Sequence, residues 1–202
     1  PSQGKSFVSR NLSVILGMAN KRVLLVDADI RKRTLSKSFG RTGGLTAFLA
    51  DTEGTTALAD IVIPNGVAEG VDFLPAGILP PNPSELLMSP RLDELVEQAK
   101  KQYDYVLFDT TPVLSVADAG IVDRLADLTL YVVRVGVENR NFLPELEKMY
   151  QNKKLRNLCI ILNDCDVKSH TYGYGYGYGY GYGNAIERDK KRNRRNLFRR
   201  KR

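Results

Sequence analysis

Apolar residues in this chain come in short unbroken runs separated by longer mixed stretches. Arg22-Val23-Leu24-Leu25-Val26 ends in Asp27, and Tyr105-Val106-Leu107-Phe108 ends in Asp109. Val71-Asp72-Phe73-Leu74-Pro75, Thr129-Leu130-Tyr131-Val132-Val133 and Leu158-Cys159-Ile160-Ile161-Leu162 repeat the pattern. Runs without alternation suit strands covered on both faces, as in parallel sheets. The stretches between them predict helices over about 5–19, 84–102, 117–125 and 140–153. Pro83-Ser84-Glu85 and Ser89-Pro90 are helix-start signals for the second of these and its continuation. Strands alternating with helices predict an α/β fold with a doubly wound, mostly parallel sheet.

The pattern stops after Asp166. Tyr172 to Gly183 is a strict Tyr-Gly repeat holding Tyr172, Tyr174, Tyr176, Tyr178, Tyr180 and Tyr182. Alternate glycines cost a helix too much entropy, and the last stretch has almost no apolar content. The expected organisation is therefore one domain over 1–166 and a disordered tail over 167–202.

Charge changes the picture only in the tail. The net charge is +7, but residues 187–202 hold ten Lys/Arg against Glu187 and Asp189, or +8. The rest of the chain carries 20 basic and 21 acidic groups, so no basic binding face is inferred for the body. Cys159 and Cys165 lack the paired spacing of a zinc site, and such low cysteine use fits a reducing compartment. No apolar run is long enough to span a bilayer, and there is no secretory signal.

The candidate chemistry starts at the first residues. Gly4-Lys5-Ser6, leading into a helical stretch, is the C-terminal half of a phosphate-binding loop. Gly4 lets the backbone approach phosphate oxygens, and the helix start favours an anion. Lys5 is expected to bridge the β- and γ-phosphates and Ser6 to ligate Mg²⁺. The loop's first glycine and its preceding strand would fall before Pro1, so the expectation is a fragment lacking its upstream part. Asp27, Asp29 and Asp109 stand at strand ends, where open α/β sheets bind ligands. Each alone fits a turn cap; together beside a phosphate loop they fit a Mg²⁺-nucleotide site.

Three segments together carry a family resemblance. Pro1-Ser2-Gln3-Gly4-Lys5-Ser6, Leu24-Leu25-Val26-Asp27-Ala28-Asp29-Ile30-Arg31 and Val106-Leu107-Phe108-Asp109-Thr110-Thr111-Pro112 resemble the Walker A, A′ and B motifs of the bacterial tyrosine kinases of capsule and exopolysaccharide assembly. Pro75-Ala76-Gly77 and Pro80-Pro81-Asn82-Pro83-Ser84-Glu85-Leu86-Leu87 are similar to a further segment of that family. The resemblance covers about residues 1–166. It implies a P-loop fold related to partition and cell-division ATPases, with ATP and Mg²⁺ as cofactors. It implies nucleotide contacts from Gly4, Lys5, Ser6 and Phe7, and metal contacts from Ser6, Asp29 and Asp109. Lys5, Asp27 and Asp29 would be catalytic, with Asp27 as base or metal-shell ligand. The six tail tyrosines would be phosphoacceptors, on the chain's own tail or a neighbour's. The resemblance also implies a homo-oligomeric ring and a membrane-anchored polysaccharide co-polymerase segment, upstream or on a separate chain. The location implied is the cytoplasmic face of the inner membrane.

Other residues leave alternatives. Arg31, Lys32 and Arg33 fit phosphate neutralisation, a subunit contact or a solvated turn. Asn163 fits either a nucleotide-base contact, as in relatives, or a strand-end turn. His170 has no assigned role, and Tyr103, Tyr105, Tyr131 and Tyr150 are expected to pack rather than to accept phosphate. In an extended chain the Tyr-Gly repeat puts its tyrosines on one side about 6.6 Å apart; a sticky low-complexity segment is the other reading. A partition- or division-type ATPase switch is the alternative function, and a tyrosine cluster serves no purpose in one. Nucleic-acid binding would rest on the basic tail alone and is not expected.

Overall fold

The computed structural model describes residues 3–39, 43–112, 118–137, 140–152, 154, 155 and 157–165. The chain divides into two units, Pro1–Cys165 and Asp166–Arg202. The expected disordered tail, its tyrosines and His170 lie outside the described residues.

Strand β1, Val23–Asp27, is buried over its whole length and organises the first unit. It pairs in parallel with β3, Val71–Leu74, on one side and with β4, Tyr105–Asp109, on the other. An antiparallel edge strand β2, Ile63–Ala68, completes a four-stranded sheet in the order β2-β3-β1-β4. Strands β5, Thr129–Arg134, and β6, Leu158–Asn163, form a separate parallel pair.

The alternation of side chains along β1 splits the core into two layers. Leu24 and Val26 join one cluster with Phe48, Leu87, Leu92, Leu95 and Ile121. Those residues come from α2 (Leu45–Ala50), α4 (Pro83–Leu87), α5 (Pro90–Gln102) and α6 (Asp118–Asp123). Val23 and Leu25 face the opposite way, with Val71, Phe73 and Leu16 of α1, Lys5–Met18. The remaining helices are α3, Leu58–Ile61, and α7, Leu143–Gln151, and Leu146 of α7 packs on Tyr131 and Val133 of β5. Helices on both faces of a mostly parallel sheet are the doubly wound α/β architecture that the sequence predicts.

Three details depart from the sequence expectation. The helix expected over 84–102 is two helices, because Ser89 leaves helical geometry and caps α5, accepting a hydrogen bond from the Arg91 amide at 3.2 Å. Strand β2 and the short helices α2 and α3 were not anticipated. Of the four body tyrosines expected to pack, Tyr103 is held by a 2.8 Å bond from its hydroxyl to Asp72 Oδ2, and Tyr131 stacks on Phe142. Tyr105 and Tyr150 are exposed instead. Among the described residues no helix is long and apolar enough to cross a membrane.

Candidate active site

Parallel pairing of β1 with β4 brings the strand-end carboxylates together. The register sets Asp27 directly opposite Asp109, and the Ala28 amide donates to the Asp109 carbonyl at 2.9 Å. Helix α1 packs against both strands and begins beside their C-terminal ends. Gly4 opens it in the left-handed region, φ 91°, and a Cβ there would overlap the Asn163 amide. Glycine is the residue that takes both conditions without strain. The N–H groups of the first turn then point out of the helix start, where an anion is favoured. The Phe7 side chain is exposed, so the backbone is what it brings to such a site.

Polar contacts tie the loop to the strand ends. The Lys5 ammonium donates to Gln3 Oε1 at 3.4 Å. The Ser6 and Ser9 hydroxyls lie beside the Asp109 carboxylate. Burial pushes the Asp109 carboxyl up, against the opposing effect of Ser6, Ser9 and the Lys5 charge. Asp27 is fully buried, and its carboxyl is pushed up to about 6. Burial is the main cause; repulsion from Asp109 and Asp29 adds to it, and hydrogen bonds from Ser36 oppose it. Asp29 is nearly buried, and its Oδ1 accepts from the Lys32 amide at 3.0 Å.

Three buried oxygens at these strand ends have no hydrogen-bond partner: Asp27 Oδ1, Asp109 Oδ2 and Thr111 Oγ1. Buried polar atoms are normally satisfied, so a group of orphans at one place marks a ligand site. Among the described residues no three His, Cys, Asp or Glu side chains form a cage that could hold an ion unaided. A small hard cation bound with a nucleotide keeps several waters and takes one or two carboxylates plus substrate phosphates. The oxygen donors therefore fit a hard divalent cation shared with a nucleotide.

The other candidates are placed as follows. Arg31 donates to Ser84 Oγ at the start of α4 at 3.0 Å, Arg33 to the Gly77 carbonyl at 3.4 Å, and Lys32 is exposed. Asn163 Nδ2 donates to the Gln3 carbonyl at 3.0 Å, which puts the end of β6 against the phosphate loop. Sequence reasoning missed Ser9, Ser36 and Thr111. Ser9 carried a findable signal, since it lies one helical turn after Lys5 and its hydroxyl donates to the Lys5 carbonyl at 3.1 Å. Ser36 carried none, because its role arises only when the chain folds back on β1.

The glycine-lysine-serine helix start, the parallel sheet and the carboxylates at its strand ends define a P-loop nucleotide-binding domain that works with a divalent cation. The family described as "AAA domain" matches residues 2–135. The putative tyrosine-protein kinase EpsB of Ralstonia solanacearum is 40% identical over 175 residues, covering 86% of this chain and 23% of EpsB. Tyrosine-protein kinase YwqD of Bacillus subtilis is 35% identical over 180 residues, covering 86% of this chain and 73% of YwqD. The solved kinase domain of Escherichia coli tyrosine kinase ETK superposes with a TM-score of 0.72 at 34% identity, covering 88% of this chain and 69% of that one. The chain belongs to the family of bacterial tyrosine-protein kinases. It spans about a quarter of the length of EpsB and about three quarters of YwqD.

Proposed function

We propose that this chain is the catalytic domain of an ATP- and Mg²⁺-dependent protein-tyrosine kinase that phosphorylates the tyrosine cluster 172–182, on its own tail or a neighbour's. The observation that carries the reading is the set of orphaned oxygens on Asp27, Asp109 and Thr111 beside a phosphate loop headed by Lys5 and Ser6. Kinase relatives at 35–40% identity support the reaction class. The tail supplies a substrate within the same chain, which a partition- or division-type switch does not need.

Phosphoryl transfer depends mainly on positioning and charge neutralisation. Amides at the start of α1 and the Lys5 ammonium hold the β- and γ-phosphates. Ser6, Asp29 and Asp109 hold the cation or its waters, and Mg²⁺ when bound neutralises charge on the phosphate oxygens. The tyrosine Oη forms the new P–O bond as the β–γ bridging bond breaks and ADP leaves. The phenolic proton passes to Asp27 or to water. A carboxyl pushed up to about 6 is still mostly ionised at neutral pH, so Asp27 can accept it or ligate the cation.

Capsule or exopolysaccharide synthesis and export, a ring of subunits, and attachment at the cytoplasmic face of the inner membrane through a co-polymerase segment complete the proposal. They rest on the family. Incubation of the full chain with ATP and Mg²⁺, followed by mass spectrometry of the tail, tests it. Lys5→Met and Asp109→Asn should each abolish phosphotyrosine while circular dichroism stays normal. Full activity in either variant sinks the assignment.

A further inference from the structure

Asp27 ends β1 with its two carboxylate oxygens in unequal surroundings. Oδ2 accepts from the Ser36 amide at 2.8 Å and from the Ser36 hydroxyl at 2.6 Å. Oδ1 is buried and has no partner. Ser36 opens a single 3-10 turn, Ser36–Ser38. That turn is held beneath the loop after β1, where the Arg33 amide donates to the Asp29 carbonyl at 2.6 Å and the Lys37 amide to the Arg33 carbonyl at 3.2 Å. The Ser36 hydroxyl also accepts from the Ala76 amide, just past the end of β3, at 2.8 Å. One serine thus joins the C-terminal ends of β1 and β3, and its hydroxyl is used both as donor and as acceptor.

We infer that Ser36 is a positioning residue for phosphoryl transfer, which locks Asp27 Oδ2 so that Oδ1 is presented to the nucleotide site. The inference rests on the proposed kinase reading. Two donors on one oxygen fix the rotation of the carboxylate about its Cβ–Cγ bond, which a single donor leaves soft. The anchor of Ser36 on Ala76 passes the rigidity of β3 to that rotation. A carboxylate that accepts a proton or meets a metal-bound water must sit within a few tenths of an ångström of its place. A misplacement of about 1 Å costs on the order of 100-fold in rate.

The test uses Ser36→Ala and Ser36→Thr in the full chain, with tail phosphorylation followed well below the melting temperature. Ser36→Ala should lower kcat about 10- to 100-fold and change the KM for ATP by less than about threefold. Affinity for a fluorescent ADP analogue with Mg²⁺ should likewise stay within about threefold, because Lys5 and the α1 amides are untouched. Ser36→Thr keeps the hydroxyl and should restore kcat. A Ser36→Ala protein with wild-type kcat overturns the inference, and so does a folded Ser36→Thr protein as slow as Ser36→Ala. Should Ser36→Ala fail to fold, the Ser36→Thr rate decides alone. Asp27→Asn at full rate would instead bring down the reading of the site, whereas a dead Asp27→Asn beside a fully active Ser36→Ala removes only this inference.

Discussion

Replacing Asp27 by asparagine should make the nucleotide-free domain more stable while removing its kinase activity. The side chain is fully buried, next to Asp109, and burial pushes its carboxyl from 3.8 up to about 6. Because the folded value is the higher one, the stability contributed by this group is present in full below about pH 4. It is lost as the pH rises through about 6. A shift of about two units corresponds to roughly 3 kcal/mol at neutral pH. Asparagine is neutral throughout and can still accept from Ser36. Its amide faces the place where Oδ1 has no partner, and an unmet amide costs about 1 kcal/mol. The expected net gain is therefore about 2 kcal/mol at pH 7.5, or roughly 4–8 °C in Tm for a domain of this size. The assay is denaturant unfolding of wild type and variant in EDTA without nucleotide, from pH 5 to pH 8. The advantage of the variant should grow between pH 5 and about 6.5 and then level off. A variant that is no more stable at pH 7.5, or a difference that does not change with pH, refutes the reasoning.

Two further predictions concern the tail. From Asn163 to Tyr172 is nine residues and to Tyr182 nineteen, a reach of at most about 30 Å and 65 Å, against about 40 Å for a domain of this size. The distal tyrosines should therefore be phosphorylated by a neighbouring subunit: a Lys5→Met protein mixed with an active protein lacking residues 167–202 should gain phosphate on its tail, and no phosphate there refutes transfer in trans. Residues 187–202 carry +8, while six phosphotyrosines add about −9 to −12, so phosphorylation should weaken both self-assembly and binding to anionic vesicles, most clearly at low salt. Equal sedimentation of the two forms with and without vesicles, at low salt, shows that the charge reversal has no such effect.

The parallel strands were legible because each is a short, nearly unbroken run of apolar side chains, although only β1 is buried over its whole length and β4 and β6 are partly exposed. Strand β2 was not legible: Pro64 and Gly66 lie inside it, Asn65 has φ 50°, and its pairing with β3 is irregular. Such residues are tolerated at a sheet edge, where a ladder bond can be missed. Helices α2 and α3 span six and four residues, too few to show a helical period. In the site, Gly4, Lys5, Ser6, Asp27, Asp29 and Asp109 could be read because each stands where a regular element begins or ends. Ser36 meets Asp27 through a loop, and Asn163 meets Gln3 across 160 residues of chain. Long-range contacts of this kind follow from the fold and have no local pattern.

The contact between Asn163 and Gln3 has a kinetic meaning. Among the described residues the last strand ends against the phosphate loop, and Tyr172 follows Asn163 by nine residues of sequence. A substrate joined to its enzyme by a stretch of chain that short is held at an effective concentration on the order of millimolar. Covalent attachment then does the work of peptide affinity, and no docking groove for residues flanking each tyrosine is required. The glycines that flank every tyrosine offer no side chain to recognise. Selectivity in such an enzyme comes from whose tail is attached nearby, and a free peptide of the same Tyr-Gly sequence should be a poor substrate at micromolar concentration.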